Sequence, residues 1–336
     1  MNILLTGGTG YIGSHTSLVL MREGHDVVLF DNLSNSNKSI INNLRIIAGK
    51  KLAFVNGDIR DTQKLIKTFI DYKIEAVIHL AGKKAVNESI KTPIYYYDNN
   101  VVGSISLTKA MLQTKLKNLV FSSSATVYGD PKYLPLDEDH PTNPNNPYGR
   151  SKLHIERMLF DVEKSEPDLN IICLRYFNPV GAHKSGLIGE NPNDIPNNLM
   201  PYISQVAIGK LPHLNIFGDD YNTHDGTGVR DYIHVMDIAE GHLAALNFIK
   251  EKKGWHIINL GSGKGNSVLE VIKTFEHVSN KCIPYIIKKR RSGDVDVCFA
   301  KKENAEKHLK WKAKRTLNDM CWSAWNFELQ NMNSNT

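Results

Sequence analysis

The chain lacks a long hydrophobic run, although 41% of its 336 residues are hydrophobic. A helix needs about 20 consecutive apolar residues to cross a bilayer, and no segment approaches that length. Residues 1–3 lead directly into an apolar strand, which leaves no room for a secretory signal peptide. We therefore expect a cytoplasmic protein with no membrane anchor.

Cysteines and metal-binding patterns are also scarce. The four cysteines, Cys173, Cys282, Cys298 and Cys321, form no Cys-x-x-Cys pair. The thirteen histidines form no His-Glu-x-x-His or similar cluster, and His79 stands inside an apolar run, as a packed core residue would. We expect reduced thiols and no metal.

Positive charge is concentrated in only one short stretch, residues 288–291, and the net charge of +6 is modest for this length. Three interpretations stay open: contact with nucleic acid, a solvated loop, or an arginine that binds a diphosphate in a substrate. The guanidinium group suits the last of these because it donates paired hydrogen bonds to phosphate oxygens.

A glycine-rich turn follows the first apolar strand. Residues 6–13 read Thr-Gly-Gly-Thr-Gly-Tyr-Ile-Gly, and the next segment, 12–23, has the pattern of an amphipathic helix. In this arrangement Gly7 permits the tight turn, Gly10 lets the backbone approach a pyrophosphate, and Gly13 lets the helix pack closely on the strand. The helix N-terminus attracts the phosphates. The alternative is a glycine-rich turn that binds no ligand.

Acidic and basic residues follow the later strands. Asp31 ends the second strand, where its carboxylate can accept hydrogen bonds from both adenosine ribose hydroxyls and would repel a 2′-phosphate, which favours NAD over NADP. Asp58 follows the third strand and can reach the adenine side. Lys84 follows the fourth and lies nearer the nicotinamide, with an ordinary surface lysine as the alternative.

Apolar strands alternate with helical patterns at 52–56, 76–80, 118–122 and 170–174, which predicts an α/β fold: a Rossmann-type doubly wound parallel sheet with a smaller mixed α/β C-terminal domain. After Asn178 the alternation weakens and Pro, Gly and Asn become frequent. We therefore place an NAD-binding domain at 1–178, with a later contribution from about 226–260, and a substrate-binding domain at 179–336.

Tyr148 and Lys152 are one helical turn apart and face the same way. A free tyrosine with a pKa of about 10 is only ~0.1% ionised at pH 7, so its use as a base requires a stabilised phenolate. The Lys152 ammonium can supply that stabilisation, together with the positive nicotinamide ring. Ser124, at the end of the fifth strand, can hydrogen-bond the same substrate oxygen. The arrangement predicts hydride transfer to or from an alcohol or sugar carbon.

Long runs extend these motifs along nearly the whole chain. They lie at 6–15, 31–33, 57–60, 96–100, 122–129, 175–182, 195–201, 225–235, 259–261 and 291–294. In these runs the chain resembles the extended short-chain dehydrogenase/reductase family, and within it the 4-epimerases of UDP-hexoses.

The resemblance implies the residues of both binding sites. The catalytic residues that it implies are Tyr148, Lys152 and Ser124. NAD contacts fall to Gly7, Gly10, Tyr11, Ile12, Gly13, Asp31, Asn32, Leu33, Asn35, Ser36, Asp58, Ile59, Leu80, Ala81, Gly82, Lys84, Asn99, Ser124, Tyr148, Lys152 and Phe177. UDP-sugar contacts fall to Ser124, Tyr148, Asn178, Asn198, Leu199, Asn215, Ile216, Phe217, Arg230, Arg291, Asp294 and Cys298, with both arginines on the diphosphate.

The resemblance also implies a reaction, the 4-epimerisation of UDP-glucose and UDP-galactose. Tyr148 takes the proton of the sugar 4′-hydroxyl while C4 passes a hydride to tightly held NAD. The 4-keto sugar turns about its bond to the diphosphate and receives the hydride on its other face. The family further implies a homodimer.

Two other kinds of NAD-binding protein share part of these motifs. Nucleotide-sugar 4,6-dehydratases and decarboxylases share the Tyr-Lys pair, but dehydratases carry an Asp-Glu pair where this chain has Ala125 and Thr126, so elimination lacks its proton carriers. An NAD-binding redox regulator without turnover would not need the Tyr-Lys pair together with the serine.

Cys298 occupies the position where related enzymes limited to glucose and galactose carry a tyrosine. A smaller side chain there leaves room for an acetamido group, so we expect UDP-GlcNAc and UDP-GalNAc to be substrates as well. The alternative is that neighbouring side chains refill the space.

Overall fold

A computed structural model describes residues 1–192, 196, 198–291 and 293–334 of the chain. In this part of the chain the strands are β1 Asn2–Thr6, β2 Asp26–Asp31, β3 Ala53–Asn56, β4 Ala76–His79, β5 Asn118–Ser124, β6 Asn170–Tyr176, β7 Asn178–Val180, β8 Leu214–Phe217, β9 Val229–His234, β10 Gly254–Leu260, β11 Gly265–Ser267, β12 Tyr285–Lys288 and β13 Val297–Cys298.

The described helices lie between these strands. They are α1 Tyr11–Arg22, α2 Ser39–Ala48, α3 Thr62–Asp71, α4 Val86–Lys91, α5 Pro93–Tyr96, α6 Gly103–Thr114, α7 Pro147–Ser165, α8 Leu199–Ala207, α9 Val235–Glu251, α10 Val268–Ser279 and α11 Leu317–Ser334. Two π-helical segments, Tyr97–Val102 and Ala305–Leu309, and a short 3₁₀ turn, Ala125–Val127, complete the regular structure of the described residues.

Seven parallel strands form the large sheet, in the order β10-β6-β5-β4-β1-β2-β3. The chain moves outward from β1 through β2 to β3, then returns to β4 on the other side of β1. The connections therefore leave the sheet in opposite directions between β1 and β4, and a cleft opens at the carboxyl ends of these strands.

The strands are apolar on both faces because helices cover both. Along β1, Ile3 and Leu5 pack in one cluster with Leu246 of α9, whereas Leu4 packs in the opposite cluster with Leu159 of α7. Successive side chains of a strand point to opposite faces, so a strand buried on both sides needs an unbroken hydrophobic run.

A second, smaller part of the fold lies beyond the carboxyl ends of the large sheet. Strand β9 pairs with β7, β11 and β13, and β8 pairs with β12 in a separate two-stranded sheet. Helices α8, α10 and α11 enclose a core that includes Met200, Tyr232, Phe275 and Met320. This part contacts the segment between β5 and α7, because Cys298 of β13 packs with Val127 and Tyr128, and Asn145 Nδ2 donates to the carbonyl of Gly293 over 3.2 Å.

The α/β fold class is confirmed, and the four strands predicted to begin at residues 52, 76, 118 and 170 begin within one residue of those positions. The segment after β9 returns to the large sheet, because α9 packs against α1 and β10 pairs with β6. The division of the chain at residue 178 stays a prediction. Within the described residues, no helix has the length and apolar character needed to cross a membrane.

Candidate active site

The glycine turn between β1 and α1 is shaped by close backbone contacts. Gly7 has φ +67°, and a Cβ atom on it would lie 2.7 Å from the backbone nitrogen of Ala81. A Cβ on Gly13 would lie 2.3 Å from the carbonyl oxygen of Gly7, so Gly13 lets α1 pack on the turn itself, where the sequence suggested packing on the strand. A Cβ on Gly10 would meet only the Gly7 carbonyl oxygen, at 3.1 Å, so the outer side of Gly10 is open.

Asp31 accepts hydrogen bonds from two backbone turns. The N–H of Thr9 donates to Oδ2 over 3.1 Å, and the N–H of Leu33 donates to Oδ1 over 2.9 Å. The Ser36 hydroxyl also donates to Oδ1, over 3.5 Å. An ionised carboxylate has about four acceptor positions, so one remains free on Oδ2 and a second is occupied only by the long Ser36 contact. The open backbone at Gly10 and these acceptor positions fit the pyrophosphate and the adenosine ribose of NAD.

Asp58 forms the next part of this edge. It accepts hydrogen bonds from Arg60 Nε over 2.9 Å and Arg60 Nη2 over 2.8 Å, and from Asn32 Nδ2 over 3.2 Å. The Arg60 hydrogen bonds hold the pKa of Asp58 well below its usual range. Ile59 is buried against Gly103, so a ligand on this side would meet mainly its backbone.

Asn100 joins the loop after β4 to α7, a role that sequence reasoning did not assign to it. Its Oδ1 accepts the N–H of Lys83 over 2.8 Å, and its Nδ2 donates to the Lys83 carbonyl over 3.0 Å and to Ser151 Oγ over 3.1 Å. The only signal was its place in the polar run 96–100. Asn99 donates to the same Oδ1 over 3.0 Å.

Tyr148 and Lys152 lie in the first turns of α7. The helix begins with a side-chain cap, because Asn146 Oδ1 accepts the N–H of Gly149 over 2.9 Å. Lys152 is buried, and its Nζ donates to the carbonyl of Ser122 over 2.7 Å. Burial lowers its pKa to about 8, which the negative charge of Glu156 opposes. The sequence suggested an ammonium paired with the phenolate, whereas the structure pairs it with a backbone carbonyl.

Ser124 is prepared as a hydrogen-bond donor. Its Oγ accepts the backbone N–H of Thr126 over 3.2 Å and the Thr126 hydroxyl over 2.9 Å. Its lone pairs are then occupied, and its own proton is left to donate to Tyr148 or to a substrate oxygen. Burial raises the pKa of Tyr148, and the hydrogen bond from Ser124 opposes that rise.

A buried ion pair joins helix α7 to strand β6. Glu156, one turn after Lys152, accepts hydrogen bonds from Arg175 Nε over 3.0 Å, from Arg175 Nη2 over 2.7 Å and from Ser123 Oγ over 2.5 Å. Arg175 also donates to the Tyr128 hydroxyl over 3.1 Å. Sequence reasoning missed the role of Glu156 because a helical glutamate far in sequence from its arginine looks like a surface residue.

Two arginines lie near the carboxylate of Asp294: Arg230 on strand β9 and Arg291 in the loop after β12. Arg291 Nε donates to Asp294 Oδ2 over 2.8 Å, and Arg230 Nη2 lies 4.0 Å from Asp294 Oδ1. The Arg291 guanidinium carbon also lies 4.7 Å from the centroid of the Phe217 ring, which is partly exposed. Two guanidinium groups beside an aromatic face suit a nucleoside diphosphate.

The rest of the basic stretch 288–291 has other contacts. Arg290 Nε donates to Asp220 over 2.7 Å, and its guanidinium carbon lies 4.0 Å from the centroid of the Tyr221 ring. Of the two arginines, Arg291 is therefore the one directed toward Arg230 and Asp294. Ser292, inside the same run, lies outside the described residues.

The other residues expected to bind the substrate differ in their exposure. Asn198 precedes α8 and donates to Glu190 Oε1 over 2.6 Å, and Asn178 is exposed on β7. Ile216 is 2% exposed and packs in the core, so only its backbone is available to a ligand. Phe177 is also buried, in the cluster that Cys298 joins.

Cys298 lies on β13 directly beside Arg230 of β9. It is partly buried against the cluster formed by Val127, Tyr128 and Phe177 and their neighbours, and burial raises the pKa of its thiol to about 11. The thiol is therefore neutral near pH 7.

Residues 3–261 match the NAD-dependent epimerase/dehydratase family. The chain is 52% identical over 332 residues, 98% of each chain, to UDP-glucose 4-epimerase of Neisseria meningitidis serogroup B.

Two crystal structures are similar over 99% of both chains. One is a UDP-glucose 4-epimerase of Stenotrophomonas maltophila with bound NAD and formylated UDP-arabinopyranose, at 48% identity and a TM-score of 0.98. The other is a UDP-glucose 4-epimerase of Bifidobacterium longum in complex with NAD+ and UDP, at 49% identity and a TM-score of 0.96.

Proposed function

The chain belongs to the NAD-dependent epimerase/dehydratase family and is an NAD-dependent epimerase, and we propose that it interconverts UDP-glucose and UDP-galactose by the 4-keto route. One structural observation supports this proposal most directly. Ser124, at the end of β5, is positioned as a donor beside Tyr148, and Lys152 is buried on the same helix. A hydroxyl donor, a phenol and an ammonium group suffice for proton exchange at one alcohol oxygen.

The residues after Ser124 favour epimerisation over dehydration. Ala125 carries no ionisable group, and the Thr126 hydroxyl is already committed to Ser124. Removal of water from the sugar would require a second acid and base near carbon 5 and carbon 6, and these two positions supply neither. The proposed reaction therefore stays at carbon 4.

In the proposed mechanism Ser124 donates a hydrogen bond to the 4′-oxygen, and Tyr148 accepts the 4′-hydroxyl proton. When bound, NAD would supply the acceptor and donor for the C4 hydride, and the positive charge of its oxidised ring would favour the Tyr148 phenolate. Lys152 adds positive charge on the same side. Tyr148 returns its proton to the keto oxygen after the sugar has turned, which completes the inversion at C4.

The diphosphate is the fixed point of this rotation. We propose that Arg230 and Arg291 exchange their contacts with Asp294 for phosphate oxygens, which would free Asp294 to accept hydrogen bonds from the uridine ribose. Phe217 lies beside Arg291 and would border the base. The sugar would remain free to present either face because the charged contacts stop at the diphosphate.

We further propose that N-acetylated UDP-hexoses are substrates. Cys298 neighbours Arg230 across two strands, and its side chain is smaller than a tyrosine by most of an aromatic ring. The space would accept the acetamido group at carbon 2.

The active form is proposed to be a homodimer. Large apolar side chains stand exposed on α4, α5 and the adjoining π-helical segment, among them Ile90 at 58% and Ile94 at 78%. Val102 of the π-helical segment and Phe160 of α7 are also exposed, and α4 and α5 pack against α7. An apolar surface spread over neighbouring helices is typical of a subunit contact.

The first experiment is to incubate the purified protein, without added NAD, separately with UDP-galactose and UDP-GalNAc and to separate the products chromatographically. Conversion of both to their 4-epimers is expected. Conversion of UDP-galactose alone would reject the broad specificity. A dehydrated keto product, or no product even after NAD is added, would contradict the proposed reaction.

A further inference from the structure

Glu190 lies between residues assigned to the two binding sites. Its Oε1 accepts a hydrogen bond from Lys84 Nζ over 2.5 Å and another from Asn198 Nδ2 over 2.6 Å. Lys84 follows β4 on the cofactor side of the cleft, and Asn198 precedes α8 on the sugar-nucleotide side. One carboxylate oxygen therefore joins side chains from the two sides.

A third contact extends this junction to the N-terminus of α1. Lys84 Nζ lies 5.8 Å from the centroid of the Tyr11 ring, so the ammonium group stands between an aromatic face and a carboxylate. Tyr11 in turn donates its hydroxyl proton to the carbonyl of Gly181 over 2.6 Å. Glu190 thus lies within a chain of contacts that reaches the turn expected to hold the pyrophosphate.

Glu190 is the buried member of these contacts, since the Lys84 side chain is 48% exposed and Asn198 is exposed. The Glu190 side chain is only 11% exposed, and its Oε2 is buried without a hydrogen-bond partner among the described residues. A buried carboxylate with one unpaired oxygen depends on its remaining donors for stabilisation. Loss of either Lys84 or Asn198 would leave Oε1 with a single donor and move the other partner.

The surroundings of Glu190 do not form a ligand site of their own. Glu190 lines a cavity of about 10 Å³ with Tyr11, Gly181 and Met200, a volume that holds at most one water molecule. Its partners, by contrast, are residues with expected roles at the NAD and UDP-sugar sites. The contacts therefore point to a role between the two sites.

We propose that Glu190 is a positioning residue that couples the NAD site to the UDP-sugar site, an inference that rests on the proposed function of these two sites. Its carboxylate aligns Lys84 with the cofactor and Asn198 with the sugar nucleotide. A change at Lys84 therefore alters UDP binding, although Lys84 lies on the cofactor side. Because Asn198 and Lys84 share the same Glu190 oxygen, a change at Asn198 alters NAD retention in turn.

The test is a set of double-mutant cycles on purified protein carrying its bound NAD. The dissociation constant of UDP is measured by calorimetry for Lys84→Met, Asn198→Ala and the double variant, each with Glu190 present and again with Glu190→Gln. Glutamine keeps the shape and one acceptor but removes the charge that holds Lys84. The NAD released per chain is measured for every variant, since unequal loading would distort the comparison.

With Glu190 present, Lys84→Met is expected to raise the UDP dissociation constant about 5-fold, which is the scale of coupling between residues in one network. In the Glu190→Gln protein the same change is expected to have almost no effect. Asp71→Asn serves as the control, because it breaks an exposed ion pair with Lys67 and should leave UDP affinity unchanged.

Equal effects of Lys84→Met in both backgrounds would overturn the coupling role, as would full additivity with Asn198→Ala. A role of Glu190 in stability alone would lower the unfolding temperature of Glu190→Gln without changing this interaction, and would count against the proposal. UDP binding without turnover of UDP-galactose would reject the proposed reaction, but the double-mutant cycles would still test the coupling through Glu190. Absence of UDP binding to the unaltered protein would reject both.

Discussion

At the residue scale, the proposed chemistry depends on a hydroxyl, a phenol and an ammonium group with different hydrogen-bond states. Ser124 has its lone pairs occupied by Thr126, and Lys152 is held by the Ser122 carbonyl. Tyr148, whose pKa is raised by burial, is left to exchange a proton with substrate. The hydrogen bonds that each group already makes therefore decide which group donates to the substrate oxygen and which exchanges a proton with it.

Tyr148→Phe should lower the turnover number about 10²- to 10⁴-fold, the usual contribution of a positioned acid or base. Bound NAD and the unfolding temperature should stay near their original values, because only one hydroxyl is removed. Turnover is measured by product formation from UDP-galactose. Tyr72→Phe removes a hydroxyl from an exposed tyrosine after α3 and should leave the rate unchanged; near-normal turnover of Tyr148→Phe would exclude it as the base.

Cys298→Tyr should abolish turnover of UDP-GalNAc while UDP-galactose is still converted. The added ring would occupy the space proposed for the acetamido group, which UDP-galactose does not need. The ratio of kcat/KM for the two substrates measures this effect, and it should fall by at least about 100-fold. Cys282→Tyr makes the same exchange at an exposed cysteine and should leave the ratio unchanged; an equal loss of both activities in Cys298→Tyr would contradict the specificity role.

At the scale of elements, helix α1 and the turn before it depend on glycine for different reasons. Gly13 is confined by the Gly7 carbonyl, whereas Gly10 faces open space on its outer side. Gly13 is therefore needed by the fold, and Gly10 is needed by the expected ligand. This difference can be measured because alanine adds the same methyl group at both positions.

Gly10→Ala should reduce NAD affinity about 10-fold or more with little change in the stability of NAD-free protein, because the methyl group would stand in the path of the pyrophosphate. Gly13→Ala should destabilise the NAD-free protein by about 1–3 kcal/mol, the usual cost of overpacking. Urea unfolding and NAD titration separate the two effects. Equal destabilisation by both substitutions would contradict the ligand role of Gly10.

At the scale of the whole molecule, four buried histidines make stability depend on pH. Burial lowers the pKa of His15, His79 and His234 to about 3 and that of His242 to about 4. In the unfolded chain these groups titrate near about 6.5, so below that pH the unfolded state binds more protons. Their contribution to stability is therefore complete above about pH 6.5 and is lost progressively toward about pH 3, the folded-state pKa of three of them.

The free energy of unfolding should fall with decreasing pH between about 6.5 and 4.5, by up to about 1.4 kcal/mol per pH unit for each of these histidines. Urea unfolding at several pH values measures the slope. His242→Asn should make it shallower by one such increment, whereas His277→Asn, at an exposed position, should not change it. A slope that is independent of His242 would contradict the assignment.

The apolar helices around Ile94 lead to a prediction about assembly. Ile94→Asp should shift the protein from dimer to monomer, because a charge would be buried without a partner at the proposed contact. Light scattering after size-exclusion chromatography measures the mass. Ile46→Asp, at an exposed isoleucine of α2 away from this surface, should leave the dimer intact; a dimer that survives Ile94→Asp would place the contact elsewhere.

Local patterns were sufficient for the fold class and for the main binding motifs. The strand, glycine turn and helix at residues 2–22 depend on backbone conformation and on contacts between near neighbours, which residue types such as Gly7 and Gly13 report directly. The spacing of Tyr148 and Lys152 likewise places both on one face of a helix without further information.

Other features required the tertiary structure. Asn100, Glu156 and Glu190 gain their roles from partners that are distant in sequence, and a buried polar side chain cannot be told from an exposed one by its type alone. The same applies to Lys152, whose hydrogen bond to Ser122 depends on how α7 packs over β5. Burial and long-range hydrogen bonds arise only when the sheet and helices have assembled, and these decided which polar residues support the site.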